Sequence, residues 1–97
     1  MSAELIIDTR ELVGDVLLEM VVWLVPGPVM GSSHVFKYRL YAGLLNGTCL
    51  VRYDNERGKG DHRHIRGQEE PYQFTSLGRL KNDFMSDVFI MMKEIEP

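Results

Sequence analysis

YAGLLNGTCLVRY, residues 41–53, contains the clearest folding signal in the chain. At its centre is Asn46-Gly47, and both residues tolerate the positive φ of a type I′ turn between antiparallel strands. Apolar and aromatic residues flank this pair on both sides, as they do in the strands of a hairpin. The stretch therefore predicts a hairpin whose strands run from His34 to Leu45 and from Thr48 to about Asp54.

The register of this hairpin separates a core face from an open face, because successive side chains of a strand point to opposite sides. On the open face Tyr41 lies opposite Arg52, Arg39 lies opposite Asp54, and Lys37 adds a third cation. The predicted core face carries Phe36, Tyr38, Leu40, Ala42, Leu44, Cys49, Val51 and Tyr53. We therefore expect Cys49 to be buried and the open face to be cationic.

A second hairpin is predicted upstream, with strands from Ala3 to Val13 and from Val16 to Val25 and with Gly14-Asp15 as the turn. Both strands are rich in Ile, Val and Leu, which favour strands. Counting outward from a two-residue loop pairs Arg10 with Glu19 and Ile7 with Val22. This register places Val16, Leu18, Met20, Val22 and Leu24 on one face and Leu17, Glu19, Val21 and Trp23 on the other.

The C-terminal part of the chain predicts one helix from Leu77 to Glu94, with Thr75 or Ser76 as its cap. Its apolar residues recur at helical spacing: Leu77, Leu80, Phe84, Val88 and Met91. Between the second hairpin and this helix, residues 58–67 are expected to be irregular, and Tyr72 to Phe74 to form a short strand. We predict a single domain over residues 1–97, of class α+β: an antiparallel sheet of four to five strands with one C-terminal helix packed on one face.

The composition excludes several kinds of protein. The 97 residues carry a net charge of -3, so a generally basic nucleic-acid binder is not indicated, although a local basic patch is still compatible. Cys49 is the single cysteine, which excludes an internal disulfide and favours a reducing compartment. The N-terminal residues lack the pattern of a signal peptide, and the longest apolar run, Met20 to Val25, is too short to cross a bilayer. We expect a cytoplasmic protein with no membrane contact.

The stretch RYDNERGKGDHRHI, residues 52–65, concentrates the candidate chemistry. If residues 62–64 are extended, both imidazoles of His62 and His64 point the same way, and imidazoles commonly transfer protons near neutral pH. With Asp61 they would supply the acid and base for cleaving an RNA phosphodiester. Glu19 is an alternative base. The residues expected to bind the substrate are Lys37, Arg39, Arg52, Arg57 and Lys59 for phosphate and Trp23 and Tyr41 for base stacking.

Other interpretations of the same residues stay open. In one, the cations of the open face form ion pairs with Asp54 and Glu19 in solvent, and Trp23 marks a subunit contact in a homodimer. In another, His62 and His64 bond loop carbonyls. A further alternative is a zinc or manganese site of a metal-dependent hydrolase, formed by His62, His64, Asp61 and His34. The chain has no P-loop, GxSxG, HExxH or CxxC motif, and we expect no cofactor.

Four segments together resemble the TumE family of bacterial toxin–antitoxin proteins: EMVVWLVP (19–26), KYRL (37–40), VRYDNERGKGDHRHI (51–65) and EEPYQFTSL (69–77). The resemblance covers nearly the whole chain, and the residues 52–64 are its most specific part. It implies a small toxin of a two-gene module, with a helix-turn-helix antitoxin encoded alongside as its partner. It does not imply a particular catalytic mechanism. An RNA-cleaving toxin that needs no metal agrees with both the residues and the resemblance, and a non-catalytic binding module is the alternative.

Overall fold

The computed structural model, which describes residues 2–95, contains one antiparallel sheet of six strands and one C-terminal helix. Each strand pairs with the next one in sequence. The elements are β1 (Glu4–Val13), β2 (Val16–Leu24), β3 (Phe36–Leu44), β4 (Cys49–Glu56), β5 (Gly60–Ile65), β6 (Gln68–Pro71) and α1 (Leu77–Ile95). The predicted class and the helix are confirmed. Within residues 2–95, no helix is long and apolar enough to span a bilayer.

The sheet exceeds the predicted four to five strands because the glycine-rich segment forms regular structure. Residues 58–67, for which the sequence predicts irregular backbone, contain β5 and the turn into β6. Arg66 (φ 53°) and Gly67 (φ 72°) occupy that two-residue turn, and Ile65 pairs with Gln68 across it. Positive φ at both positions is the geometry of a type I′ hairpin, and arginine is an unusual residue there.

The predicted short strand from Tyr72 to Phe74 is wrong, because this segment lies outside the strands. Both aromatic side chains are nevertheless half-buried and pack against the core. The Phe74 ring stacks on the His34 ring with their centroids 3.7 Å apart. The segment therefore covers the sheet with side chains and does not extend it.

The first hairpin has the predicted register, with Arg10 opposite Glu19 and Ile7 opposite Val22. The second hairpin has the predicted pairs Tyr41–Arg52 and Arg39–Asp54 in its body, but its loop differs. The Leu44 N–H donates to the Thr48 carbonyl at 2.8 Å, so the loop has three residues and not two. Of the pair Asn46-Gly47, Gly47 has a positive φ, of 95°.

The longer loop exposes Cys49, which contradicts the expectation that it is buried. The register shifts between Ala42 and Gly43, so that Cys49 pairs with Gly43 and Leu50 forms a bulge. The bulge returns the strand to the predicted register at Val51. As a result Leu50, and not Cys49, contributes a buried side chain to the core.

The core lies between the sheet and α1. The helix contributes the predicted stripe, of which Leu80, Phe84, Val88 and Met91 are buried. The sheet contributes Val16, Leu18, Val22, Tyr38, Leu40, Ala42, Leu50, Val51 and Tyr53. A carboxylate of the helix, that of Asp87, also accepts hydrogen bonds from two sheet residues. The donors are the Tyr53 hydroxyl and Arg63 Nη1, the latter at 3.0 Å. These polar contacts fix where the helix lies on the sheet.

A polar network on the helix side attaches the loop before β3 to β4 and β5. Asn55 is fully buried, and its side-chain oxygen accepts from the Tyr38 N–H at 3.0 Å. Asp61 accepts hydrogen bonds from Ser32 Oγ (2.6 Å), His34 Nε2 (2.6 Å) and the Tyr38 hydroxyl (2.7 Å). Burial, followed by the hydrogen bond to Asp61, raises the pKa of Tyr38 far above its ordinary value, so the hydroxyl remains a donor.

We expect Phe84→Ala to lower the free energy of unfolding by about 3–5 kcal/mol, because Phe84 is fully buried and alanine leaves a cavity. Phe89→Ala is the matched control, since Phe89 is 57% exposed on the same helix, and it should change stability by less than about 0.5 kcal/mol. Chemical denaturation followed by circular dichroism measures both. Equal effects of the two changes would contradict this position of the helix.

Candidate functional site

The open face of the sheet brings two strands of polar residues side by side. In the β4–β5 register Arg52 lies opposite His64, and Asp54 lies opposite His62. Since residues two apart on a strand share a face, all four side chains project away from the helix. The expectation that the two imidazoles point the same way is confirmed, and the ring centroids are 5.8 Å apart.

Arg52 connects the members of this group. Its Nη2 lies 2.9 Å from His64 Nε2, and because a guanidinium can only donate, His64 Nε2 accepts this hydrogen bond. Its Nε lies 3.3 Å from Asp54 Oδ2. His64 is partly exposed, with 27% of its side chain accessible. The arrangement therefore places an unprotonated imidazole nitrogen at the surface, with its lone pair directed at the Arg52 guanidinium.

His62 is almost enclosed, with 5% of its side chain exposed. Its Nδ1 lies 3.1 Å from the Gly60 carbonyl oxygen, and its Nε2 lies 2.6 Å from Asp54 Oδ1. The distance between Nε2 and Oδ1 is short, but the two groups are not oriented for a hydrogen bond. Within the part of the chain that the structure describes, His62 Nε2, Asp54 Oδ1 and Arg52 Nε are buried without a hydrogen-bond partner. Such groups are uncommon in folded proteins and call for an explanation.

Glu69 completes the group from β6, and the sequence analysis does not include it. Its carboxylate lies 3.5 Å from His62 Nε2, 3.2 Å from His64 Nε2 and 3.5 Å from Lys59 Nζ. Burial alone would raise the pKa of Glu69, but the charges of Lys59, His62 and His64 outweigh this effect and lower the pKa below its ordinary value of 4.5. Only the β5–β6 hairpin brings this residue to the histidines, since His64 pairs with Glu69 across it.

A groove of about 490 Å³ lies on the same face, next to the histidines. It is lined by Val21, Trp23, Lys37, Tyr38, Arg39, Arg52, Asp54 and Glu56. The three cations project from β3 and β4, and Trp23 projects from β2 with 37% of its surface exposed. The Lys37 ammonium donates to the Asn55 carbonyl at 2.6 Å, which holds it at the groove. This combination suits a ligand that has both a negative charge and a flat ring.

Other residues that the sequence analysis groups together lie further apart. Glu19 shares its row with Tyr41, Arg52 and His64, but it is three strands from His64, or roughly 14 Å at the usual strand spacing. The Tyr41 ring is covered by the Arg39 guanidinium, 5.0 Å from its centroid. The alternative base and one of the two aromatic residues are therefore separated from the histidines.

Arg57 and Lys59, the two basic residues of the β4–β5 turn, lie at different places on the surface. Arg57 lines a separate cavity with Pro28, Val29 and Met30, and this places it outside the groove. Lys59 lies at the margin of the histidine group, within 3.9 Å of Glu56 and 3.5 Å of Glu69. Of the two turn residues that the sequence analysis assigns to phosphate, Lys59 is thus the one near the histidines.

Asp61 lies on the opposite face of the sheet from His62 and His64, in the network with Ser32, His34 and Tyr38. His34 Nδ1 accepts from the Phe36 N–H at 3.1 Å, so its Nε2 carries the proton and donates to Asp61. All of these groups have partners, which indicates a structural role. The metal set suggested by the sequence is therefore divided between two faces of the sheet, because strand alternation separates Asp61 and His34 from the other two histidines.

Two different sets of potential ligands surround His62. One consists of His62, His64 and Glu69, and the other of Asp54, Glu56 and His62. In each set the ligand atoms lie within 4.8 Å of one another. Both sets include His62, which is therefore the ligand that the two possible arrangements share.

The pH dependence of stability should reveal the contacts of Glu69. Its lowered pKa means that they stabilise the fold at pH values above 4.5, the ordinary value, and that this contribution is lost as pH falls through the lowered pKa. We expect Glu69→Gln to reduce the thermal unfolding temperature at about pH 7 and to have a smaller effect at about pH 3.

Glu11→Gln serves as the control, because within residues 2–95 no cation lies within 4.0 Å of the exposed Glu11 carboxylate. Its effect on the unfolding temperature should not change with pH in this way. A Glu69→Gln difference that is the same at both pH values would show that the contacts of the carboxylate do not stabilise the fold.

Comparison with known proteins gives one match. The family model described as Toxin TumE matches residues 3–92. No curated protein and no solved structure was found to match the chain.

Proposed function

The chain belongs to the TumE toxin family, and we propose that this toxin acts by binding RNA on its open sheet face and cleaving the phosphodiester backbone. Membership of the family makes the protein the toxin component of a toxin–antitoxin system, with an antitoxin as its partner. The observation that carries the proposal is the groove lined by Lys37, Arg39, Arg52 and Trp23, which adjoins the His62–His64 pair.

The groove accounts for RNA better than for a small uncharged ligand. Its cations would contact backbone phosphates, and Trp23 would stack on an unpaired base. Since the chain has a net charge of -3, this local concentration of positive charge is a property of one face and not of the whole surface. A single-stranded segment fits an open sheet face, because its bases are available for stacking.

His64 is the base in this proposal: its Nε2 lone pair, which accepts a hydrogen bond from Arg52 in the free protein, becomes available when Arg52 turns to the substrate phosphate. His64 removes the proton from the ribose 2′-hydroxyl, and the 2′-oxygen attacks the neighbouring phosphorus. Arg39 and Arg52 stabilise the charge that develops on the phosphoryl oxygens. The bond from phosphorus to the 5′-oxygen then breaks, and the leaving oxygen takes a proton from water at the open face. The products are a 2′,3′-cyclic phosphate and a 5′-hydroxyl end.

A binding function is the second candidate, and the apolar surface of β1 favours it. Leu5, Ile6, Leu12 and Val13 are exposed on this edge strand. An edge strand with exposed apolar groups is suited to pair with another chain, which would be the antitoxin or a second copy of the toxin. Light scattering of the purified protein at high concentration tests self-association, and a monomer throughout would exclude the second copy.

Expression of the His62→Ala/His64→Ala double variant should remove the growth arrest and the RNA degradation that the natural sequence causes. Loss of a positioned proton acceptor reduces cleavage by about 10²-fold or more. His34→Gln is the control, because it changes the third histidine, which lies on the other face. Thermal unfolding of each variant shows whether it is folded. Full toxicity of a folded double variant would exclude the histidines from the mechanism.

Binding of an uncleavable RNA should depend on the groove cations. A 2′-O-methyl oligonucleotide lacks the attacking hydroxyl and so reports binding alone. We expect the Lys37→Ala/Arg39→Ala variant to bind more weakly, with a salt dependence that is shallower by about 0.7 per lost phosphate contact. The Arg79→Ala/Lys81→Ala variant removes the same number of cations from α1 and should bind normally. Equal losses in the two variants would mean that the attraction is not specific to the groove.

A further inference from the structure

The protonation of His62 is determined by its backbone contact. The Gly60 carbonyl oxygen lies 3.1 Å from Nδ1 and can only accept, so Nδ1 carries the proton. In the neutral ring Nε2 then has a lone pair, and it faces Asp54 and Glu69. A histidine that binds a metal ion commonly has this arrangement, in which the other ring nitrogen donates to a backbone carbonyl and fixes the ring.

Nε2 and Asp54 Oδ1 form an unfavourable pair as they stand. Both are electron-rich, they lie 2.6 Å apart, and among the residues described neither has a hydrogen-bond partner. The direction of the contact does not suit a hydrogen bond between them, so the two atoms lie side by side. A positive charge beside two such buried atoms would stabilise them: either a proton on Nε2 or, since the contact is not oriented for a hydrogen bond, a metal ion that both atoms coordinate.

Glu56 supplies a third ligand at the same place. Its carboxylate oxygen, Asp54 Oδ1 or Oδ2, and a His62 ring nitrogen lie within 4.8 Å of one another. Bonds to zinc-like divalent metals are about 2.0–2.2 Å long, so a small movement of Glu56 would close the site. Glu56 is exposed at the end of β4 and is able to make that movement. Asp54 and Glu56 also line the groove, so an ion held by them would lie in contact with its contents.

The neighbouring cations leave this position accessible. Arg52 Nε contacts the other oxygen of Asp54, Oδ2, at 3.3 Å. Lys59 Nζ is 3.9 Å from Glu56 Oε2, and both side chains are about half-exposed, so the ion pair is weak. Glu69 Oε1 lies 3.5 Å from both His62 Nε2 and Lys59 Nζ, and Glu69 Oε2 lies 3.2 Å from His64 Nε2, so other groups already contact this carboxylate.

We infer that Asp54, Glu56 and His62 form a binding site for a divalent transition metal ion, of which Mn²⁺ is the best fit. One imidazole and two carboxylates combine nitrogen and oxygen ligands, whereas Ca²⁺ and Mg²⁺ take oxygen ligands. The role of the ion, to neutralise the phosphate beside Arg39 and Arg52, rests on the proposed function. Its binding rests on the side chains alone.

Isothermal titration of Mn²⁺ into tag-free protein, stripped of metal with a chelator that is then removed, tests the site. We expect one ion per chain. Asp54→Asn and Glu56→Gln should each weaken binding about tenfold or more, since even outer-shell changes weaken metal sites by 10–100-fold. Glu69→Gln is the matched control and should bind within about threefold of the natural protein, because Glu69 belongs to the alternative ligand set.

Two results would overturn the inference. The first is the absence of Mn²⁺ binding by the natural protein, in which case His62 and Asp54 share a proton. The second is binding that Glu69→Gln abolishes and Glu56→Gln leaves intact, which would place the ion between His62, His64 and Glu69. Since Glu56 is exposed, Glu56→Gln tests the site even if Asp54→Asn does not fold.

RNA cleavage measured in parallel separates this inference from the proposed function. Cleavage that persists in chelator, together with no Mn²⁺ binding, would overturn the metal site and support a metal-independent ribonuclease. Mn²⁺ binding that depends on Asp54 and Glu56 without any RNA cleavage would support the site and contradict the proposed function. Cleavage that needs Mn²⁺ and fails in Glu56→Gln, together with Mn²⁺ binding that Glu69→Gln leaves intact, would support both.

Discussion

The register between β4 and β5 is the constraint on which the rest of the structure depends. It sets Asn55 opposite Asp61 on the helix side and Asp54 opposite His62 on the open side. Asn55 and Asp61 are held by hydrogen bonds to the loop before β3 and to Tyr38. A slip of β5 by one residue would bring His62 to the helix side, turn Asp61 to the open side and break the bonds of Asp61, because successive strand residues alternate between faces.

The two faces of the sheet carry similar residues, an aspartate and a histidine, but in different hydrogen-bonding environments. On the helix side, the Asp61 carboxylate accepts three hydrogen bonds, and His34 has a partner at each ring nitrogen. On the open side, Asp54 lines the groove and His62 is buried beside Asp54, and two of their polar atoms lack hydrogen-bond partners within residues 2–95. Buried groups of this kind destabilise a fold unless something binds them. The contrast is the physical reason for placing the function on the open face.

The distribution of charge supports the same assignment. The chain is acidic overall, yet Lys37, Arg39 and Arg52 converge on one groove. Elsewhere, acidic residues pair with cations away from that groove, as Asp87 does with Arg63 and Asp83 with Arg79. The three cations of the groove outnumber its two carboxylates, Asp54 and Glu56, on a chain whose net charge is -3, which favours binding of a polyanion at this place.

The amino-acid sequence by itself determined β1 to β4, the helix and the assignment of most side chains to faces. These features depend on turn residues and on spacings of two, three or four, which are local properties of the chain. Only the tertiary structure decided the rest. A three-residue loop and a bulge at Leu50 exposed Cys49, the unusual Arg66-Gly67 turn created β5 and β6, and their pairing brought Glu69 to the histidines. These outcomes depend on which strands meet and in which register. Asp61 and His62 were separated because residues 60–65 form a strand, in which successive side chains point to opposite faces.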